Sequence, residues 1–255
     1  MGDVMSGVTA KQWIMDSLPH AKQLDNSSPT KRMYQTDAMI ICVFPSAEAE
    51  RGKAETEIAS SQAHACIVPT LMILSASDGL IVVYPKVDGY LLSDPDVLHA
   101  FETIDLATRA KLVGDILDTY AAVSELGYVL VDIYLGNIML DFSTLKIWCF
   151  DWDLCQPGTG FTLETENNYG SNRLQAPEEH VQGAWIDART NVYNLGKIIH
   201  ILLPDGGEDV MEVVEHATQD SQDDRYPTVQ LLADHYRTAA GLPPAHGVIV
   251  VDSGE

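Results

Sequence analysis

The chain of 255 residues carries 15 Lys and Arg against 37 Asp and Glu, a formal net charge of −22. A surface of that sign repels phosphate polymers and anionic bilayers, which argues against nucleic acid or a membrane as main partner. With 46% apolar and 20% charged residues, the composition is that of a folded protein, long enough for one domain or two closely packed lobes.

Cys42, Cys66, Cys149 and Cys155 form no C-x-x-C pair and have no ligand spacing with histidine. They read as reduced, mostly buried thiols of a cytoplasmic protein. No apolar run reaches the roughly 18 residues a membrane span needs, and no secretory leader pattern is visible. Met1 to Ser6 formally match a myristoylation pattern in which Asp3 is a poor neighbour.

In chain order, residues 1–36 show one helical pattern, Ala10 to Ser17, and then the polar stretch Leu24 to Thr30. Met39 to Phe44 is a continuous apolar run ended by Pro45, the mark of a buried strand. A helix rich in Glu and Ala is predicted from Ala47 to Gln62. Two further strands, Pro69 to Leu74 and Leu80 to Tyr84, flank the turn Ser75 to Gly79. Ser93-Asp94-Pro95 is a helix start, a capping residue ahead of a first-turn proline. A longer helix, Thr103 to Leu126, keeps Leu106, Val113, Ile116, Leu117, Tyr120 and Val123 on one face, and Gly127 sits where a C-terminal cap belongs.

Ile138 to Leu140 and Leu145 to Phe150 then form a hairpin pattern around the turn Asp141-Phe142-Ser143-Thr144. The hairpin places Asn137 and Asp151 near one end, with Asp132 just upstream. Two oxygen ligands and a third carboxylate suit phosphoryl transfer, in which two groups hold Mg²⁺ on nucleotide phosphates and the third accepts or orients a hydroxyl proton. The same spacing also describes a turn aspartate beside a structural hairpin, so the rest of the chain has to decide. Gln156 to Asn172 is polar and glycine-rich and predicts a mobile loop. Helical spacing returns at Val192, Leu195, Ile199 and Leu202, stops at Pro204, and resumes from Glu208 to Thr218.

Leu130-Val131-Asp132-Ile133-Tyr134-Leu135-Gly136-Asn137 and Asp151-Trp152-Asp153 resemble the catalytic loop and metal-binding segment of the protein kinase superfamily. Three later stretches resemble the same family in the same order. Gly170 to Glu178 is similar to the end of an activation segment, with Ala176-Pro177-Glu178 as its A-P-E. Asp187 to Gly196 is similar to the opening of the core helix of the large lobe, and Gln219 to Thr228 to the stretch before the last helix. The resemblance is to a divergent member of the bacterial, eukaryotic-like serine/threonine kinases.

The resemblance implies an α+β, bilobal fold: a small lobe over residues 1–87, a larger helical lobe over 88–240, and a tail over 241–255. It implies ATP and Mg²⁺ as cofactors, with Asp132 as catalytic base and Asn137 and Asp151 on the metal, joined by Asp153 as an outer ligand. Pro85, Lys86 and Val87 would form the hinge that takes the adenine edge. Cys42 falls at the position where the family carries a phosphate-binding lysine, and Glu55, with Glu57 second, at the glutamate paired to it. Glu178 would form a buried bridge to Arg225.

The departures are equally specific. There is no glycine between Gly7 and Gly52, so the glycine-rich turn is missing, and no lysine stands at Cys42. Arg32 or Lys53 are candidate replacements. Val131 takes the place of the arginine that reads a phosphorylated loop, Tyr134 that of a lysine, Asp153 that of a glycine and Asn191 that of an aspartate. Three readings stay open: an ATP- and Mg²⁺-dependent kinase acting on a Ser/Thr hydroxyl, a pseudokinase-type binding or scaffold module, and a phosphotransferase for a small cationic molecule. Acceptor and oligomeric state are not legible.

Overall fold

Two apolar runs shape the first half of the molecule. The computed structural model describes residues 3–4, 7–25, 28–166 and 169–245. Six strands, β1 (Asp3–Val4), β2 (Lys22–Gln23), β3 (Arg32–Gln35), β4 (Met39–Pro45), β5 (Met72–Ala76) and β6 (Gly79–Pro85), make one sheet in the order β1-β5-β6-β4-β3-β2. The inner strands β4 and β6 are apolar at nearly every position because both faces of the sheet are covered. On one face Cys42, Phe44, Val82 and Tyr84 join a core with Ala54, Ile58 and Ala59 of helix α2 (Ala49–Ser60). On the other, Ile41, Val43, Ile81 and Val83 pack on Ala10 and Ile14 of helix α1 (Ala10–Ser17). Asp78, in the turn between β5 and β6, accepts from the Ala10 N–H at 2.7 Å and so fixes the start of α1.

The second half is helical. Helices α3 (Pro95–Glu102), α4 (Leu106–Glu125), α5 (Ala188–Leu202), α6 (Glu208–Ala217) and α7 (Val229–Ala239) surround a core that includes Ile116, Tyr120, Leu195, Ile199 and Tyr236. A small sheet, in the order β10-β9-β7, combines β7 (Tyr90–Leu91), β9 (Ile138–Asp141) and β10 (Lys146–Cys149). The architecture is α+β, with a sheet-rich first part and a helical second part. The parts are stitched by backbone: Cys149 N–H donates to the Cys66 carbonyl at 2.7 Å and Val68 N–H to the Cys149 carbonyl at 3.1 Å. Beside that stitch, Thr119 of α4 hydrogen-bonds His64 Nδ1 at 2.8 Å. Among the described residues no helix is long and apolar enough to cross a membrane.

Several boundaries differ from the sequence reading. The helix expected from Ala47 opens as a 3₁₀ turn, Ser46–Glu48, before α2 begins. The long helix starts at Leu106, because the Asp105 carboxylate accepts from Thr108 N–H at 3.0 Å and caps it there. The strand expected from Pro69 starts at Met72 and runs to Ala76, which shrinks the turn to Ser77-Asp78. The loop expected over Gln156 to Asn172 contains two short strands: β11 (Gln156–Pro157) pairs with β8 (Tyr128–Val129), and β12 (Gly160–Thr162) with β13 (Trp185–Asp187). Polarity was a poor guide there, since backbone pairing needs no apolar side chain. Asn26, Ser27, Asn167 and Asn168 lie outside the described residues, as do Met1, Gly2, Met5, Ser6 and 246–255 of the tail.

Glu178 and Arg225 form the expected bridge: Nη1 to Oε1 at 2.7 Å and Nη2 to Oε2 at 3.0 Å, with the arginine side chain fully buried. Three carbonyls, those of Gln219, Asp220 and Arg189, take further donors of the same guanidinium. Removing one partner leaves the other's charge buried. Glu178→Ala and Arg225→Ala are each expected to lower stability by about 3–5 kcal/mol in urea unfolding. The double variant should lose less than the sum of the two.

Candidate active site

Asp132, Asn137 and Asp151 meet at the end of the β9–β10 hairpin. The Asn137 side-chain amide donates to the Asp132 carbonyl at 3.0 Å and to its Oδ2 at 3.2 Å. Its Nδ2 is thereby committed, and its Oδ1 is left as the atom with lone pairs to offer. Phe150 N–H donates to the Asn137 carbonyl at 3.2 Å, which sets Asp151 next to the asparagine. Asp132 and Asp151 both have left-handed backbones, with φ of 64° and 71°, a region that aspartate tolerates better than most residues. Gly170 runs directly against the first of them: a Cβ there would stand 3.4 Å from Asp132 Oδ1.

The acids crowd one another. Burial, followed by the charges of Asp151 and Asp153, raises Asp132 to about 6, although the hydrogen bond from Asn137 and the charge of Lys31 pull the other way. Burial also raises Asp153, which is 3% exposed. Its Oδ2 is buried without a hydrogen-bond partner, and Arg51 Nη2 lies 3.2 Å from it without hydrogen-bond alignment. The cation that answers this crowding is Lys31. Its Nζ binds Asp151 Oδ1 and lies 3.4 Å from Asp153 Oδ1. Burial alone would lower the lysine, but the two carboxylates more than offset it and hold the pKa above the usual lysine value.

Lys31 and Arg51 were not singled out from the sequence; Arg32 and Lys53 were. Strand register explains the first difference. Arg32 pairs with Val43 and Met33 with Cys42, so Lys31 and Met33 share the face of Phe44 and Cys42, while Arg32 points to the opposite side. There its Nη2 lies 3.8 Å from Asp78, and Lys53 is exposed on the outer side of α2. Arg51 stands one helical turn before Glu55 and so shares its face. That spacing was visible in the sequence, but its partner, Asp153, was not.

Glu55 is 4% exposed and does not close an ion pair with Lys31. It accepts from the Tyr84 hydroxyl and, at 2.6 Å, from the Trp152 N–H. Burial raises its pKa, and Lys31 acts on it only through space, in the opposite sense. Glu57 turns elsewhere, to the Tyr128 hydroxyl. Cys42 is buried, and its thiol is pushed well up by that burial and by Glu55; it supplies no charge. At the end of β6, where a hinge was expected, Lys86 N–H donates to the Ala38 carbonyl at 2.8 Å. Backbone groups of an extended chain alternate in direction, which turns Pro85 and Val87 to the side opposite Lys86.

Asn191 and Tyr134, two further departures, and Trp152 between the two aspartates each have defined surroundings. Asn191, 1% exposed, accepts from Leu130 N–H at 2.9 Å and donates to the Leu130 carbonyl at 2.7 Å, a reciprocal pair that an aspartate has no hydrogen to complete. Tyr134 folds back over the loop: a Cβ on Gly136 would collide with its ring at 2.2 Å. Trp152 packs edge-on against Tyr120, with centroids 5.6 Å apart, in the core that also holds Leu130.

Among the described residues no group of three or more His, Cys, Asp or Glu side chains is placed to hold a metal. The donors near the hairpin are two carboxylates and one amide oxygen, hard ligands of the kind Mg²⁺ takes. Asp153 Oδ2 is buried without a hydrogen bond, and the Asp151 and Asp153 charges add to burial in raising Asp132, so this set of hard oxygen donors fits a divalent cation.

A scan against protein-family models finds no match, and no curated protein matches the sequence. Solved structures do resemble the fold. Two structures of the PknI kinase domain of Mycobacterium tuberculosis match 87% and 86% of this chain and 94% of each of theirs, at 18% identity and a TM-score of 0.59. The chain therefore has the protein kinase fold.

Two outcomes follow from the site. The Asp132 pKa in the folded state exceeds its ordinary value of 3.8, so the stability it contributes is present below that value and lost as pH rises through about 6. Asp132→Asn is expected to raise the melting temperature near pH 7.5, by an amount that shrinks toward pH 4.5. Asn191→Asp restores the family's usual residue and faces the Leu130 carbonyl with a second acceptor; urea unfolding should show a loss of at least about 1–3 kcal/mol.

Proposed function

We propose that this chain, built on the protein kinase fold, is an ATP- and Mg²⁺-dependent phosphotransferase acting on a Ser/Thr hydroxyl. The observation that carries the reading is Asp132 held by the Asn137 amide beside Asp151, with a buried lysine on the last of the three. Asp132 is the general base, and its raised pKa of about 6 suits proton acceptance near neutral pH. Asn137 Oδ1 and Asp151 would hold Mg²⁺, with Asp153 outside them. When bound, the metal neutralises charge on the transferring phosphates. Pro85 and Val87 would present backbone groups to the adenine edge, and Met33, Ile40 and Val87, half-buried against the core, apolar surface to the ring. The four free, buried cysteines support a reducing, cytoplasmic setting.

No residue in the pattern of an activation-loop switch supports phosphorylation control. Val131 offers no charge, and β12 is already paired with β13, with Leu163 N–H on the Ala184 carbonyl at 2.9 Å. The test is radiolabel transfer from ATP to Ser/Thr-containing acceptor proteins. Asp132→Asn is expected to lower the rate by about 10²–10⁴-fold, and Asp151→Asn to abolish Mg²⁺-dependent transfer. Equal labelling by wild type and both variants would sink the proposal. Transfer to small cationic metabolites alone would redirect it to that substrate class. Nucleotide binding with no transfer to any acceptor would leave a binding module.

A further inference from the structure

We infer that Lys31 meets the nucleotide phosphates in place of the lysine missing at Cys42, and that it competes with a divalent cation for Asp151 and Asp153. The inference rests on the phosphotransferase reading and identifies a residue and an antagonism within it. Lys31 directly precedes β3. Its side chain is 14% exposed and lies on the Phe44 side of the sheet, 6.0 Å from that ring, on the same face as Cys42. A lysine immediately before β3 therefore presents its ammonium to the cleft that a lysine at Cys42 of β4 would serve.

The neighbouring charges leave few other candidates. Asp132, Asp151, Asp153 and Glu55 act together on Lys31 and on one another. Arg51, the second cation there, is shared between Asp153 and Glu48, at 3.2 and 3.8 Å. Arg32 is turned to Asp78. Among the described residues Lys31 is the cation within ion-pair reach of both Asp151 and Asp153. A group that neutralises a cation's ligands weakens that cation's binding, and by linkage the bound cation weakens that group's hold on the same ligands by the same factor. Yet the same positive charge attracts phosphate. Lys31 thus has opposite effects on metal and nucleotide, a pair of signs that a merely structural lysine does not produce.

The experiment compares wild type with Lys31→Met, Lys31→Arg and Lys31→Met/Cys42→Lys. Mn²⁺ binding to the nucleotide-free protein is read from the paramagnetic resonance of free Mn²⁺, and Mg²⁺-nucleotide binding from the fluorescence of a labelled ATP analogue. Lys31→Met is expected to bind Mn²⁺ alone about tenfold more tightly and the Mg²⁺-nucleotide about tenfold more weakly, near the lower end of the usual coupling range. Lys31→Arg keeps both wild-type values within a few-fold. Adding Cys42→Lys restores nucleotide affinity. Mn²⁺ affinity that is unchanged or weaker in Lys31→Met overturns the antagonism, and unchanged nucleotide affinity overturns the phosphate role. If Lys31→Met does not fold, wild-type affinities in Lys31→Gln do the same. Wild type that binds no Mg²⁺-nucleotide defeats the phosphotransferase reading itself; wild-type binding with silent Lys31 variants defeats only this inference.

Discussion

Everything at the junction of sheet and helices depends on keeping four carboxyl groups in a small, partly dry volume. Glu55 and Asp153 are nearly sealed from water, and Asp132 and Asp151 are half-buried. Water cannot screen that charge well, and the chain as a whole, at −22, offers few cations to help. Lys31 and Arg51 do the balancing, one from the residue just before β3 and the other from helix α2. The arrangement holds because the sheet and the helix deliver their cations to the same place.

Helix α2 is consequently fixed to the hairpin region rather than floating above it. Arg51 reaches Asp153, Glu55 accepts from the backbone of Trp152, and Glu57 takes the Tyr128 hydroxyl, three ties along two turns of one helix. Beneath them the Cys66–Cys149 backbone bonds carry the connection into the helical core. Ties of this kind favour one arrangement of the segment that carries Asp151, Trp152 and Asp153.

The sequence was most legible where a fixed spacing along the chain brings partners together. Asp132, Asn137 and Asp151, the Glu178–Arg225 bridge and the core helix were all placed by motif, because each must hold a set separation along the chain to meet its partner. Less legible was whatever depended on pairing between segments. Nothing within a single strand says that Lys31, not Arg32, faces Cys42; that follows from the β3–β4 register. The amide at Asn191 looked like a weakened aspartate, whereas opposite Leu130 it makes two bonds in place of one. The same blindness hid β11 and β12, whose pairing rests on backbone and leaves no apolar trace.

Helix α1 has a practical bearing on where this domain begins. Ala10 and Ile14, upstream of Lys22, roof the outer surface of Ile41, Val43, Ile81 and Val83. A fragment begun at Lys22 would bare a contiguous aliphatic sheet face to solvent, the sort of patch that drives self-association. Helix α1 is thus a working part of the core on that side of the sheet.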